Sequence, residues 1–106
     1  MDVVVIRTKL REGKELAYEE AHRVLPGEVR GDLVARGIRD WKIFRDGRDL
    51  IHVITAEPSF EAFRATPSAD PEIGVRHHER MSPYLEPDQG SSSGPMKLVW
   101  DLDAEL

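Results

Sequence analysis

Two stretches of alternating residues, joined by the pair Asp46-Gly47, constrain the fold of this chain more than any other feature. Residues 38–45 alternate with a period of two, which places Trp41 and Ile43 on the same side of a predicted strand. An Asp-Gly pair between two such runs is a strong signal for a tight antiparallel hairpin. Residues 49–56 then form the returning strand. The middle of the chain is therefore predicted to be a β-hairpin.

The elements around this hairpin complete an α+β pattern. In chain order they are a strand over 2–9 that is apolar on both faces, an amphipathic helix over 15–28 that is broken at Pro26 and resumes until Gly37, a short helix after Pro58, a helix over 72–82, and a last strand over 96–102. The order β-α-β-β-α-β is the ferredoxin-like arrangement, an antiparallel sheet with helices on one face. We expect residues 1–106 to form a single domain, with 87–95 as a flexible Ser/Gly loop.

One face of such a sheet has no helix to cover it. We expect it to carry some of the apolar and aromatic strand residues, namely Val3, Val5, Trp41, Ile43, Leu50, His52, Leu98 and Trp100. So much apolar surface rarely faces water in a monomer. Two sheets packed face to face would bury it, so we expect a homodimer of the dimeric α/β barrel type. Alternatively, this face lines a ligand cavity.

The composition argues against several classes of function. The formal net charge of −5 argues against nucleic acid and anionic membranes as partners. The chain has no cysteine, so it has no disulfide and no thiolate chemistry. No apolar run approaches the roughly 20 residues that a membrane-spanning helix needs, and the first residues lack the pattern of a secretory signal. We therefore expect a cytoplasmic protein.

Tyr18 and His22 are the first candidates for a functional site. They lie four residues apart in the predicted helix and so share one face of it. An imidazole ordinarily titrates near the working pH and suits proton transfer, and a neighbouring phenol can bind a polar ligand. The same spacing also occurs without function, because exposed histidine is common in helices.

The four histidines do not predict a metal site. His77 and His78 are adjacent, so on a helix they diverge by about 100° and cannot easily bind one ion. No histidine pair has the spacing of metal ligands, and none is flanked by a suitable carboxylate. We expect neither a metal nor another cofactor.

Taken together, these residues resemble the L-rhamnose mutarotase family. The resemblance rests on Tyr18 and His22, on Pro26 and Glu28 after them, on residues 37–44 and 50–54, and on Met81 at the end of the late helix. It implies a dimeric ferredoxin-like fold and a cofactor-free isomerase of the aldose 1-epimerase type. Such an enzyme interconverts the α and β anomers of a free sugar, here L-rhamnose or a related deoxy sugar. The resemblance also implies that His22 donates a proton and that Tyr18 and Trp41 contact the substrate.

The chain departs from the family pattern where the family has aromatic residues. Family members have one or two Trp residues four and three positions before the late Met, and these positions are His77 and His78 here. The position of Trp41 is usually Tyr in the family, so the ring is kept and the hydroxyl is lost. Sugar sites use aromatic platforms against which the C–H faces of a pyranose pack. Replacing Trp by His shrinks that platform and adds titratable groups.

Mutarotation needs one proton removed from the anomeric hydroxyl and one delivered to the ring oxygen. General acid and base groups suffice, and each contributes about 10²–10⁴-fold. The expected roles are these: His22 protonates the ring oxygen, Tyr18 orients the sugar, His77 is the second acid or base, Trp41 is a packing wall, and His78 is a further substrate contact. His52 is a weaker candidate, because a lone histidine on an apolar strand is more often structural.

Two other interpretations stay open. A cofactor-free cyclase or isomerase of a natural-product pathway would use the same small dimeric fold, and His77 and His78 in place of Trp would suit a polyketide-like substrate. A non-catalytic binding module is also possible, since a fold does not fix a function. That interpretation predicts that His22 can be removed without consequence.

Overall fold

A three-stranded antiparallel sheet carries the fold in the computed structural model, which describes residues 1–87 and 94–103. The strands are β1 (Asp2–Lys9), β2 (Ile38–Asp46) and β3 (Asp49–Ala56), and β3 lies between the other two. The predicted hairpin is confirmed, since β2 and β3 pair antiparallel around the turn. Gly47 has a φ of +61°, a left-handed conformation that glycine adopts without steric cost.

The helices form one layer against this sheet. They are α1 (Glu15–Ala21), α2 (Gly27–Ala35), α3 (Phe60–Ala65) and α4 (Glu72–Met81), and a short 3₁₀ turn, Ser82–Tyr84, follows α4. Two groups of buried side chains join the layers. One contains Ile38, Ile54, Ala56, Phe60 and Phe63; the other contains Leu10, Tyr18, Leu50 and Met81. In the part of the chain that the structure describes, no helix is long and apolar enough to cross a bilayer.

The side chains of β3 show which face of the sheet the helices cover. Leu50 and Ile54 are 1% and 0% exposed, and they share their face with His52. The partner of His52 on β2 is Ile43, and the partner of Ile54 is Trp41. All five side chains therefore lie on the covered face. Of the residues from which the uncovered face was expected to be built, Trp41, Ile43, Leu50 and His52 thus lie on the covered face instead, because alternation alone does not tell which side the helices take.

The uncovered face is nevertheless apolar, as the sequence predicts. It carries Val3, Val5, Phe44, Ile51 and Val53, which the strand register places side by side. Val3 and Phe44 are both 58% exposed. In the single chain, β1 is therefore only partly buried on the face that has no helix.

The helix predicted over residues 15–28 is interrupted earlier than Pro26. α1 ends at Ala21, and α2 begins at Gly27. Leu16 and Val24, two apolar residues of this stretch, are 76% and 81% exposed, whereas Tyr18 is 5% exposed. The apolar residues of this stretch belong to two separate helices and the link between them. A single buried helical face therefore cannot be assigned to them from their spacing.

The predicted last strand, residues 96–102, is not formed in the single chain. The structure describes residues 94–103 and shows no strand there. The segment approaches the edge of β1 through a hydrogen bond from the Met96 N–H to the Val5 carbonyl, 2.7 Å long. Leu98, Val99 and Trp100 are exposed. A segment forms a β-strand when most of its backbone N–H and C=O groups pair with a neighbouring strand. Here the hydrogen bond from Met96 to Val5 is a single contact of this kind. The predicted Ser/Gly loop lies largely outside the described residues, since 88–93 are not described.

Gly37 fixes the passage from α2 into β2. Its φ is +115°, and a Cβ atom at this position would lie 2.5 Å from the carbonyl oxygen of Glu57. The Glu57 N–H donates to the Gly37 carbonyl over 2.8 Å, so the two backbones are held in contact. Neither the conformation nor the spacing leaves room for a side chain.

Gly37→Ala is therefore expected to lower the free energy of unfolding by about 1–3 kcal/mol, because it adds backbone strain and a steric clash. Gly31→Ala is the matched control, since Gly31 lies in α2 with nothing within 4 Å of the added Cβ. There the same change should raise stability by about 0.5–1 kcal/mol. Urea unfolding monitored by circular dichroism measures both. Equal effects at the two positions would contradict this account of Gly37.

Candidate active site

The last turn of α1 places Tyr18 and His22 on the side of the helix that faces the sheet. The His22 N–H donates to the Tyr18 carbonyl over 2.9 Å, which keeps His22 in register at the end of the helix. The centroids of the two rings are 5.3 Å apart. Burial raises the pKa of Tyr18 to about 12, so its phenol stays protonated and can donate a hydrogen bond at neutral pH. The pair predicted from the sequence is thus present and partly enclosed.

His77 reaches the same place from α4. Its ring centroid lies 6.3 Å from that of His22, and the ring planes are nearly perpendicular at 80°. A guanidinium nitrogen of Arg80 lies 3.0 Å from Nδ1 of His77. Because a guanidinium can only donate, Nδ1 accepts, and the neutral imidazole carries its proton on Nε2. Burial lowers the pKa of His77, and the charges of Arg80 and His22 lower it further. The environment of His77 therefore favours its neutral form, beside His22.

His78 does not join this cluster. It follows His77 on α4, so its side chain points about 100° away around the helix. The side chain of His78 is exposed. The structure thus separates the two histidines that stand where the sequence comparison expects tryptophan.

His52 lies on β3 and binds side chains of both neighbouring strands. The Trp41 indole N–H donates to Nδ1 of His52 over 3.1 Å, and Nε2 of His52 lies 2.9 Å from the hydroxyl oxygen of Thr8. The Trp41 and His52 rings meet edge to face at 6.1 Å. Burial lowers the pKa of His52 to about 4, with a smaller contribution from the charge of His22. His52 is therefore neutral at physiological pH and is unsuited to exchanging protons there.

A cavity of about 800 Å³ opens between α1 and β2 beside this cluster. Tyr18, His22, Ile43 and Leu50 are among the residues that line it. Its size lies within the usual range for small-molecule sites. Trp41, His52 and His77 are not among its lining residues, so His22 stands at the border between the cavity and the other imidazoles.

Within residues 1–87 and 94–103, no group of three or more His, Asp or Glu side chains is placed to hold a metal ion. The imidazoles instead have organic partners: Arg80 for His77, and Trp41 with Thr8 for His52.

The sequence analysis missed three residues of this region. Thr8 and Arg80 contact histidines directly, and the ring of Tyr84 meets that of Tyr18 edge to face at 6.4 Å. Arg80 carries a signal in the sequence, because it lies three residues after His77 on the same helix. No local sequence pattern points to Thr8 or Tyr84, because tertiary contacts bring them to the site.

A comparison with known proteins identifies the family of this chain. The model of the L-rhamnose mutarotase family matches residues 4–102. The chain belongs to the L-rhamnose mutarotase family. This confirms the resemblance seen in the residues around Tyr18 and His22 and identifies a family of isomerase-type enzymes. A comparison with curated protein sequences gives no significant match.

Solved structures share the fold of this mutarotase-family chain. An L-rhamnose mutarotase from Formosa agariphila superimposes with a TM-score of 0.75 at 23% identity, covering 96% of this chain and 99% of the other. Tetracenomycin F2 cyclase from Streptomyces glaucescens, a type-II polyketide cyclase, superimposes with a TM-score of 0.60 at 17% identity, covering 93% and 96%. At these identities the likeness shows the fold. The predicted ferredoxin-like α+β class is confirmed.

Proposed function

We propose that the chain is a mutarotase that interconverts the α and β anomers of a free aldose, with L-rhamnose or a related deoxy sugar as substrate. The observation that carries this proposal is that Tyr18 and His22 line a cavity and that the His77 ring lies beside His22. A phenol and two imidazoles are groups that can hold a sugar and move its protons. Membership of the L-rhamnose mutarotase family supplies the substrate class.

The proposed reaction opens and recloses the sugar ring. His22 gives a proton to the ring oxygen as the bond between C1 and that oxygen breaks, and a base takes the proton of the anomeric hydroxyl. The product is the open-chain aldehyde. Rotation about the bond between C1 and C2 presents the other face of the carbonyl to the returning hydroxyl. Closure runs the two proton transfers in reverse, so the enzyme returns to its starting state.

His77 is the proposed base, and its contact with Arg80 indicates which of its ring nitrogens takes the proton. Nδ1 of His77 accepts a hydrogen bond from Arg80 in the protein without sugar. The anomeric hydroxyl is a donor of the same kind, so it can replace Arg80 at Nδ1 and give up its proton there. The displaced guanidinium remains close by and stabilises the negative charge that develops on the anomeric oxygen. Because the pKa of His77 is lowered, the base form persists below pH 6.5, the ordinary value for histidine.

Saturation-transfer proton NMR on L-rhamnose tests this proposal, because it measures exchange between the two anomeric protons directly. The unaltered protein should accelerate the exchange. His22→Asn should reduce the acceleration by about 10²–10⁴-fold, the range for loss of a general acid. His77→Asn keeps an acceptor near Nδ1 but cannot take a proton, so a reduction of similar order is expected.

His78→Asn is the matched control, since it removes an imidazole of the same helix that is exposed and outside the cluster. Its rate should stay close to that of the unaltered protein. L-fucose and further free sugars, run in parallel, rank the substrates. Absence of acceleration with every sugar would refute the mutarotase proposal. Acceleration that survives in His22→Asn would assign the acid to another residue.

The cyclase interpretation is less favoured, because the family match is to mutarotases.

We also propose that the chain forms a homodimer through the uncovered face of the sheet. This face aligns five apolar side chains, and two of them, Val3 and Phe44, are more than half exposed. The exposed segment with Leu98, Val99 and Trp100 adds apolar surface that the single chain leaves uncovered. Two such faces packed together would bury it. The cytoplasmic location stays a prediction.

Val3→Lys is expected to convert the dimer to a monomer, because it places a charge among the apolar side chains of the proposed interface. Val24→Lys makes the same change at an 81% exposed position away from the sheet. It should leave the dimer intact. Sedimentation equilibrium at micromolar concentration distinguishes the two states. A monomeric unaltered protein, or equal dissociation in both variants, would contradict the proposed interface.

A further inference from the structure

Three side chains form a line across the covered face of the sheet, one from each strand. They are Thr8 on β1, His52 on β3 and Trp41 on β2, and two hydrogen bonds of 2.9 and 3.1 Å join them. The strand register pairs His52 with Ile6 and with Ile43, so its partners Thr8 and Trp41 are diagonal neighbours. Long and aromatic side chains reach each other at that separation. The line ends at Trp41, the residue that the family resemblance expects to contact the substrate.

The chemistry of the donors fixes where the protons lie in this line. An indole N–H can only donate, so Nδ1 of His52 must accept from Trp41. The neutral imidazole then carries its proton on Nε2 and donates to the Thr8 hydroxyl. If the imidazole were protonated on Nδ1 instead, it would present a second donor to the indole, and the contact with Trp41 would be lost. The indole of Trp41 therefore fixes the tautomer of His52, and the Thr8 hydroxyl, which can donate or accept, accepts from Nε2–H.

Burial reinforces this arrangement. The ring of His52 is largely enclosed, and the cost of placing a charge there keeps the imidazole neutral. The edge-to-face contact with Trp41, at 81° between the ring planes, leaves the faces of the indole free of His52. An indole held by its N–H edge can thus present a face to a ligand.

We propose that His52 is a positioning residue that holds the Trp41 indole at a fixed angle for packing against the sugar, and that Thr8 holds the His52 ring in place by accepting a hydrogen bond from Nε2–H. The inference rests on the proposed function as a sugar mutarotase, together with the expectation from the family resemblance that Trp41 contacts the sugar. A side chain that is already ordered loses less conformational freedom when a ligand binds. Loss of the line should therefore weaken binding, while the proton transfers at His22 and His77 continue.

The test compares variants that break different bonds of the line. His52→Phe keeps a ring and removes both hydrogen bonds. His52→Asn keeps an oxygen acceptor near the position of Nδ1, so it should restore the bond to Trp41. Thr8→Val keeps the shape of Thr8 and removes the acceptor for Nε2–H. All are made in a Trp100→Phe background, in which Trp41 is the remaining one of the two tryptophans.

The first readout is the indole N–H resonance of Trp41 in ¹H–¹⁵N NMR spectra of the protein without sugar. His52→Phe should shift this resonance upfield and speed its exchange with water, and Thr8→Val should have a smaller effect of the same kind. In His52→Asn the resonance should lie closer to its position in the Trp100→Phe parent protein.

The second readout is the rate of anomeric exchange against sugar concentration. KM should rise about 2- to 10-fold in His52→Phe, the cost of ordering one free side chain, and kcat should change by less than about twofold.

Each outcome decides a separate point. An indole resonance that does not move in His52→Phe would overturn the contact itself. A resonance that moves while KM stays constant would overturn the positioning role. A fall in kcat with unchanged KM would place His52 in the chemical step instead. If the parent protein turns over no sugar, the mutarotase proposal fails, and so does the role of Trp41 as a sugar wall, whereas the indole resonance still decides whether His52 and Thr8 hold Trp41.

Discussion

The packing of Tyr18 and Met81 against Leu50 is the contact on which the site depends. All three side chains are buried in one cluster with Leu10, and this cluster fixes α1 and α4 on the sheet. His22 lies four residues after Tyr18, and His77 lies four residues before Met81. Residues four apart share a helical face, so burial of the two core side chains turns both imidazoles toward the same place. The site is thus a direct extension of the core.

Neutral imidazoles distinguish this site from one built on carboxylates. His52 and His77 are both held by an N–H donor at Nδ1, one from Trp41 and one from Arg80. Burial is the largest cause of the lowered pKa in each case, and the charge of His22 contributes to both. The two neutral rings differ in what they can do. His52 is hydrogen-bonded at both nitrogens to side chains of the sheet, whereas His77 has one exposed partner, Arg80, that a sugar hydroxyl can replace.

Much of the fold and part of the site follow from the sequence, and the failures have physical causes. Period-two alternation and Asp46-Gly47 predict the hairpin, because both are local constraints. The covered face of the sheet could not be assigned from alternation, which gives two equivalent sides. The line from Thr8 to His52 joins residues 44 positions apart and has no local signature. Residues 96–102 have the apolar composition of a β-strand but pair with no strand in the single chain. Composition alone therefore predicts a strand that is not formed there.

The ionisation states of the imidazoles test the central claim most directly, namely that the core places neutral, donor-held histidines around His22. Long-range ¹H–¹⁵N NMR spectra of the histidine side chains report charge and tautomer for each ring across a pH titration. The account predicts that His52 and His77 are neutral at pH 6.5, with the proton on Nε2, that His52 gains its second proton near pH 4, and that His77 does so below 6.5. A charged His77 at pH 6.5, or a proton on Nδ1 of either ring, would contradict it.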